Sequence, residues 1–280
     1  MCGIFGLAVF EDSPLDARVI RSILKKLTIS SKIRGRDATG YAFMKKDGAQ
    51  VFKHNVFADR FVKLSNYKEV VRNNVPAGNL LKDLYSVIGH TRAETQGSHT
   101  NPKNNHPITT GGVIGVHNGM ISNDDDLFTW LDGETNKKNR IAEVDSEIIF
   151  SLINYYAKVS KFPATYRNSN LIGHYTNPTT KAIKRVCPRL KGSFACAMVD
   201  SDNPKTLWLF KGKNTSLAVN YYADERIVVF ASVEKFINEA ISESFNFSHP
   251  KRIPVGDDSG LCINVEDVNY NTFSIENSKA

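Results

Sequence analysis

Cysteine is scarce in this chain: four residues in 280, at positions 2, 187, 196 and 262, with no CxxC pair among them. A zinc ribbon or a disulfide framework therefore has no support, and a chain of this length can bury a core without either. Long apolar runs are also lacking. None approaches the ~20 residues that span a bilayer. The N-terminus has neither the basic region nor the apolar core of a signal peptide, because Glu11, Asp12 and Pro14 interrupt the run that ends at Phe10. These absences point to an intracellular, cytoplasmic protein. No glycine loop ends in GK[ST], so a phosphate-binding P-loop is unsupported. Internal repeats, low-complexity tracts and interdomain linkers are missing too, which favours one domain over 1–280 with insertions near 57–83, 134–142 and 160–191.

Acidic residues are outnumbered, 29 against 36 Lys and Arg, giving a net charge of +7. Such a balance raises nucleic acid as a partner. The basic residues are dispersed, however, and none of their groups is interleaved with aromatics like a base-stacking platform. A solvated basic face is the better reading, and nucleic acid stays a subordinate expectation.

Periodicity predicts a helix over 16–32 burying Val19, Ile20, Ile23, Leu24 and Leu27, then a strand pair within 40–54 joined through Lys46-Asp47-Gly48. Strands follow at Leu84–His90 and Gly112–His117. Asn123 with Asp124, Asp125 and Asp126 reads as a helix start, since caps and negative charge both suit a helix N-terminus. A second helix begins near Asp145. One more is expected at 178–187, then strands at 193–200, 206–211, 216–222 and 227–231. A helix near 233–243 and strands near 251–255, 261–265 and 271–275 complete the pattern.

The richest chemistry lies at the start. Removal of Met1 would leave Cys2 with a thiol and an α-amine on one residue, a nucleophile carrying its own base, because an α-amine titrates near pH ~8. Cys196, in the apolar run 194–199, reads instead as a buried, inert thiol, as do Cys187 and Cys262. Three polar, glycine-rich clusters separate the apolar segments: 34–40 (RGRDATG), 89–97 (GHTRAETQG) and 117–123 (HNGMISN). Glycine loops let backbone amides approach a ligand. Asn118-Gly119 would suit a hairpin turn, but the helix start that follows ranks that second. His90, His99, His106 and His117 are spaced by nine, seven and eleven, which matches no metal-finger pattern. No metal and no cofactor is expected, and His90 and His117 read as packing groups.

Taken in order, Cys2-Gly3-Ile4-Phe5-Gly6, RGRDATG, GHTR, Asn105-His106-Pro107, His117-Asn118-Gly119, Val144-Asp145-Ser146-Glu147, Lys191–Ala195 and Val229–Ser232 resemble the motif series of class II glutamine amidotransferases, which are N-terminal-nucleophile hydrolases. The resemblance covers most of the chain. It implies an α+β fold, a four-layer α/β/β/α sandwich, and hydrolysis of L-glutamine to glutamate and ammonia through a γ-glutamyl thioester. Carried over residue by residue, it makes Cys2 the nucleophile and Asn118 and Gly119 the oxyanion hole. It gives Arg92 the substrate α-carboxylate and Asp145 its α-ammonium. Thr95 and Gln96 would line the pocket, and Arg34 would orient the N-terminus. A separate ammonia-accepting synthase is the implied partner.

The chain departs from the series at Ala38, where serine is usual and Thr39 offers a substitute hydroxyl. Ala93-Glu94 replaces an aromatic–alanine pair, and Glu94 adds a charge near the pocket. Two other functions therefore stand beside the first: hydrolysis of γ-glutamyl or other small amides, and a catalytically silent regulatory relative. Arg92 and Asp145, taken alone, would read as a surface ion pair.

Overall fold

The computed structural model describes residues 2–76, 83–159, 177–241, 245–266 and 269–275. Strand β1 (Gly3–Val9) is buried at every position. Phe5, Leu7 and Val9 enter one hydrophobic cluster while Ile4 and Ala8 enter another. Side chains alternate across a strand, so β1 must lie in a sheet covered on both faces.

That sheet has seven strands, in the order β11 (Lys251–Arg252), β9 (Ala218–Tyr222), β10 (Ile227–Ala231), β1, β4 (Leu84–Arg92), β2 (Ala38–Lys45) and β3 (Gly48–His54). The second has six, in the order β13 (Asn269–Ser274), β12 (Ser259–Asn264), β8 (Thr206–Lys211), β7 (Gly192–Asp200), β6 (Val113–Ile121) and β5 (Ile108–Thr110). The strand pairs described are antiparallel.

Three hydrophobic clusters define the layers. The first joins the outer face of the seven-stranded sheet to α1 (Ala17–Ser31), α2 (Ala58–Phe61), α3 (Tyr67–Asn74) and α7 (Glu234–Ala240). In the second, α4 (Asp124–Thr135), α5 (Ser146–Val159) and α6 (Pro178–Val186) pack on the outer face of the six-stranded sheet. The third lies between the sheets and holds Ile4, Ala8 and Ile88 against Val116, Ala195 and Leu209. The architecture is therefore the four-layer α/β/β/α sandwich that the resemblance implies.

Differences from the expected elements are local. Asn118-Gly119 lies inside β6 rather than after it, because the strand continues to pair with β7 through Ile121. Strand β5 and the helices α2 and α3 are shorter than the windows in which periodicity shows. The strand expected at 251–255 shrinks to Lys251–Arg252. Of the insertion expected over 160–191, residues 160–176 lie outside the described residues, and so do 77–82 of that over 57–83.

Candidate active site

The ends of β1 and β4 and the interior of β6 build the site. Cys2 precedes β1, and the pairing of Gly3 with Thr91 sets it beside the end of β4. Ala93 N donates to Cys2 Sγ at 3.4 Å, and Sγ lies 3.5 Å from Ala93 O. Arg34 Nε donates to Cys2 O at 2.8 Å. On the far side, Ile4 N donates to Ser232 Oγ and Ser232 N to Ile4 O, both at 2.8 Å. The N-terminal stretch carrying the thiol is thus pinned from three segments far away in sequence, Cys2 by two of them and Ile4 by the third.

Burial raises the Cys2 thiol pKa, opposed by the Ala93 backbone and the positive charge of Arg92, and reinforced by Asp145. A thiol kept neutral in this way needs a base before it can attack.

Arg92 ends β4 and is only 3% exposed. Among the described residues it forms no ion pair. Nη1 donates to Asn105 Oδ1 at 2.8 Å, and Nη2 donates to Gln96 O at 2.7 Å and to Gly97 O. Burial lowers its pKa, while Cys2, Glu94, Asp37 and Asp145 act the other way. Asp145 is buried at the N-terminal end of α5. Its Oδ2 accepts from Ile121 N at 2.7 Å and its Oδ1 from Ser146 Oγ at 3.3 Å. Ser146 Oγ also meets His117 Nδ1 at 2.8 Å.

The other strand is β6. His90 Nε2 lies 3.0 Å from His117 O, which ties β4 to β6 beside Asn118 and Gly119, while Ile4 pairs with His90 on the other side of β4. Gly119 has φ +148°, and a Cβ there would fall 1.9 Å from Ser193 O. Only glycine fits this position while β6 stays paired with β7. His90 and His106 stack with ring centroids 4.1 Å apart. Burial depresses both, His90 to about 3, so each is neutral at physiological pH.

Not every residue singled out converges here. Thr95 is exposed on the loop after β4. Gln96 joins the site through its carbonyl, while its side chain reaches Asp124 Oδ2 at 3.5 Å. Glu94 is held on its own loop, where its carboxylate accepts from His99 N at 2.6 Å and meets His99 Nδ1, and its charge still acts on Arg92. Thr39 does not replace the missing serine hydroxyl, since its Oγ1 donates to Val56 O at 2.9 Å.

Three contributors were present in the motifs without an assigned role. Asn105 holds Arg92, Ser232 brackets Ile4, and Asp37 Oδ2 accepts from Glu94 N at 2.6 Å. Their partners lie 13, 228 and 57 residues away, beyond any local pattern.

The sequence profile of the glutamine amidotransferase domain family matches residues 90–239, more than half of the chain. The chain belongs to the glutamine amidotransferase domain family. Among curated proteins it is similar to the glutamine–fructose-6-phosphate aminotransferase (isomerizing) of Staphylococcus epidermidis, 27% identical over 220 residues that cover 78% of this chain and 30% of that protein. The Staphylococcus aureus counterpart is 28% identical over the same shares. The match therefore spans less than a third of the length of these relatives.

Solved structures agree in fold. The glutamine phosphoribosylpyrophosphate amidotransferase from B. subtilis matches with a TM-score of 0.63 at 18% identity, over 99% of this chain and 50% of that one. A glutamine aminotransferase class-II domain protein from Silicibacter pomeroyi matches with a TM-score of 0.53 at 11% identity, over 97% and 98%. The fold is that of the class II, N-terminal-nucleophile amidotransferases. Nucleic-acid binding gains no support from these relatives. No helix among the described residues is long and apolar enough to cross a membrane.

Proposed function

We propose that this domain, once Met1 is removed, hydrolyses L-glutamine to glutamate and ammonia through a γ-glutamyl thioester on Cys2. The observation that carries the proposal is the meeting of a burial-shielded Cys2 thiol with Ala93 and Arg92 at the end of β4, which His90 ties to β6 beside Asn118 and Gly119. The freed α-amine takes the thiol proton and the thiolate adds to the side-chain amide carbon. Asn118, through its side-chain amide, and Gly119, through its N–H, bind the resulting oxyanion. The same amine returns its proton as ammonia leaves, then activates the water that cleaves the thioester.

Arg92 receives the substrate α-carboxylate. Asn105, Gln96 and Gly97 hold Nη1 and Nη2 and so fix the plane of the guanidinium, and the carboxylate takes a donor that they leave over. Asp145 receives the α-ammonium, with lone pairs left over from Ile121 and Ser146. Two opposite charges select a free amino acid over a peptide-linked glutamine.

The ammonia passes to a separate synthase docked over the site. Two of the large hydrophobic side chains that lie exposed, Ile33 at 67% and Met120 at 57%, directly neighbour Arg34 and Gly119, which supports a covering partner. Glutamate release from L-glutamine by protein of confirmed N-terminus, with Cys2→Ala beside it, tests the reaction.

A further inference from the structure

Lys53 lies on β3, an edge strand, yet its side chain turns inward. Opposite it in the β2–β3 register is Gly40, the last residue of RGRDATG. A Cβ on Gly40 would fall 2.3 Å from His106 O and 2.6 Å from Lys53 Cβ, so the bare backbone there admits the turn at 105–107. Lys53 Nζ then donates to Asn105 O at 2.6 Å and to Pro107 O at 2.9 Å, spanning that turn. Asn105 is the hub. Its Oδ1 accepts from Arg92 Nη1 at 2.8 Å and its Nδ2 donates to His99 O at 2.7 Å.

We infer that Lys53 is a positioning residue for glutamine binding, fixing Arg92 through the backbone of Asn105. The inference rests on the glutaminase reading and adds to it a residue outside the pocket that sets substrate affinity. An ammonium here is a costly choice. Among the described residues it meets two carbonyls and no carboxylate, in a half-buried position near a second cation, and burial followed by the charge of Arg92 lowers its pKa to about 8. A residue that only filled space would not need that charge. A protonated amine is a stronger donor to the two carbonyls than a neutral one.

Two consequences follow for binding. Removing the amine frees the 105–107 turn, and Arg92 loses the orientation in which its spare donors face a carboxylate. Raising the pH through about 8 weakens the same clamp gradually. The other ionisable groups near Lys53 are Arg92, the neutral His106, His54 on its own strand, and Lys103 and Glu147 across the adjoining cleft. The α-amines of Cys2 and of glutamine titrate in the same range, so the pH effect is read as a difference between wild type and Lys53→Arg, in which those amines cancel.

The experiment uses the full chain with Met1 removed and three readouts: steady-state glutaminase kinetics, the rate of Cys2 alkylation by iodoacetamide, and the glutamine concentration that halves that rate. For Lys53→Met the expected result is a roughly tenfold rise in KM, the size of one lost charge-assisted hydrogen bond, with kcat within about threefold. The protecting concentration of glutamine rises by the same factor, and alkylation without glutamine is unchanged. Lys53→Arg recovers most of the KM and removes the part of its rise above pH 8 that wild type shows beyond it. If Lys53→Met does not fold, that wild-type against Lys53→Arg difference alone decides. Wild-type KM and protection in Lys53→Met, or no pH difference between wild type and Lys53→Arg, overturns the inference. A joint fall of kcat, alkylation rate and melting temperature without recovery in Lys53→Arg overturns it as well, by showing a purely structural role. A wild type that neither releases glutamate nor is protected by glutamine sinks the glutaminase reading itself, and this inference with it.

Discussion

At the scale of single residues, the proposed chemistry divides into parts that fail differently. Asn118→Ala removes one oxyanion donor, and kcat should fall by ~10²–10³ with KM nearly unchanged. Equal losses in kcat and in the thermal midpoint would show instead that Asn118 holds β6 together. Gly119→Ala has no comparable mild outcome, because its φ of +148° and the approach of Ser193 O leave no room for a methyl group. Arg92→Lys tests the fork. A lysine keeps the charge but cannot hold Asn105 and the Gln96 carbonyl in the planar geometry of a guanidinium while also donating to a carboxylate. KM for glutamine should rise at least about tenfold, one pairwise hydrogen bond's worth, and an unchanged KM would remove Arg92 from the carboxylate role. The residues themselves were legible from ordered motifs. Their partners were not: Asn105, Ser232 and Asp37 act through contacts that sequence spacing does not encode, and Thr39 turned its hydroxyl to Val56 although it stood beside the vacant serine position.

At the scale of elements, the joint between β4 and β6 is made of histidines. His90, His106 and His117 are buried, and burial lowers the pKa of all three, with Asp145 pulling His117 partly back. A folded pKa below the unfolded value of 6.5 means that the unfolded chain binds these protons first as the pH drops. The stability they contribute is therefore whole above about pH 6.5 and declines as the pH falls towards the folded values. The melting temperature should drop between pH 7 and pH 4.5. His106→Phe should flatten that drop, since the ring stacks on His90 and neither of its nitrogens meets a partner among the described residues. An equally steep drop in His106→Phe would assign acid sensitivity to other groups.

Long helices and buried strands were legible because their periodicity runs over many residues, as in α1 with Ile20, Ile23, Leu24 and Leu27. The three residues of β5 and the four of α2 are too short for any period to show. Asn118-Gly119 carried a turn signature inside a strand because its conformation answers to the neighbouring β7 backbone and not to local preference.

At the scale of the whole molecule, the sandwich assembles the proposed site from parts that no single layer holds. The seven-stranded sheet supplies Cys2 and Arg92, and the six-stranded sheet supplies Asn118 and Gly119. Asp145 comes from the start of the helix packed on the second sheet. The order of elements pointed to many strands in one α/β arrangement and the family resemblance to a four-layer sandwich, but beyond the pair within 40–54 the pairing of those strands was not legible, because register depends on contacts across the whole chain. The most direct test of the account is the amount of glutamate formed from L-glutamine by the full chain whose mass confirms loss of Met1, measured beside Cys2→Ala. The account predicts glutamate that disappears with the thiol. Glutamate formed equally by Cys2→Ala, or none formed by correctly processed wild type that glutamine also fails to protect from alkylation at Cys2, would contradict it.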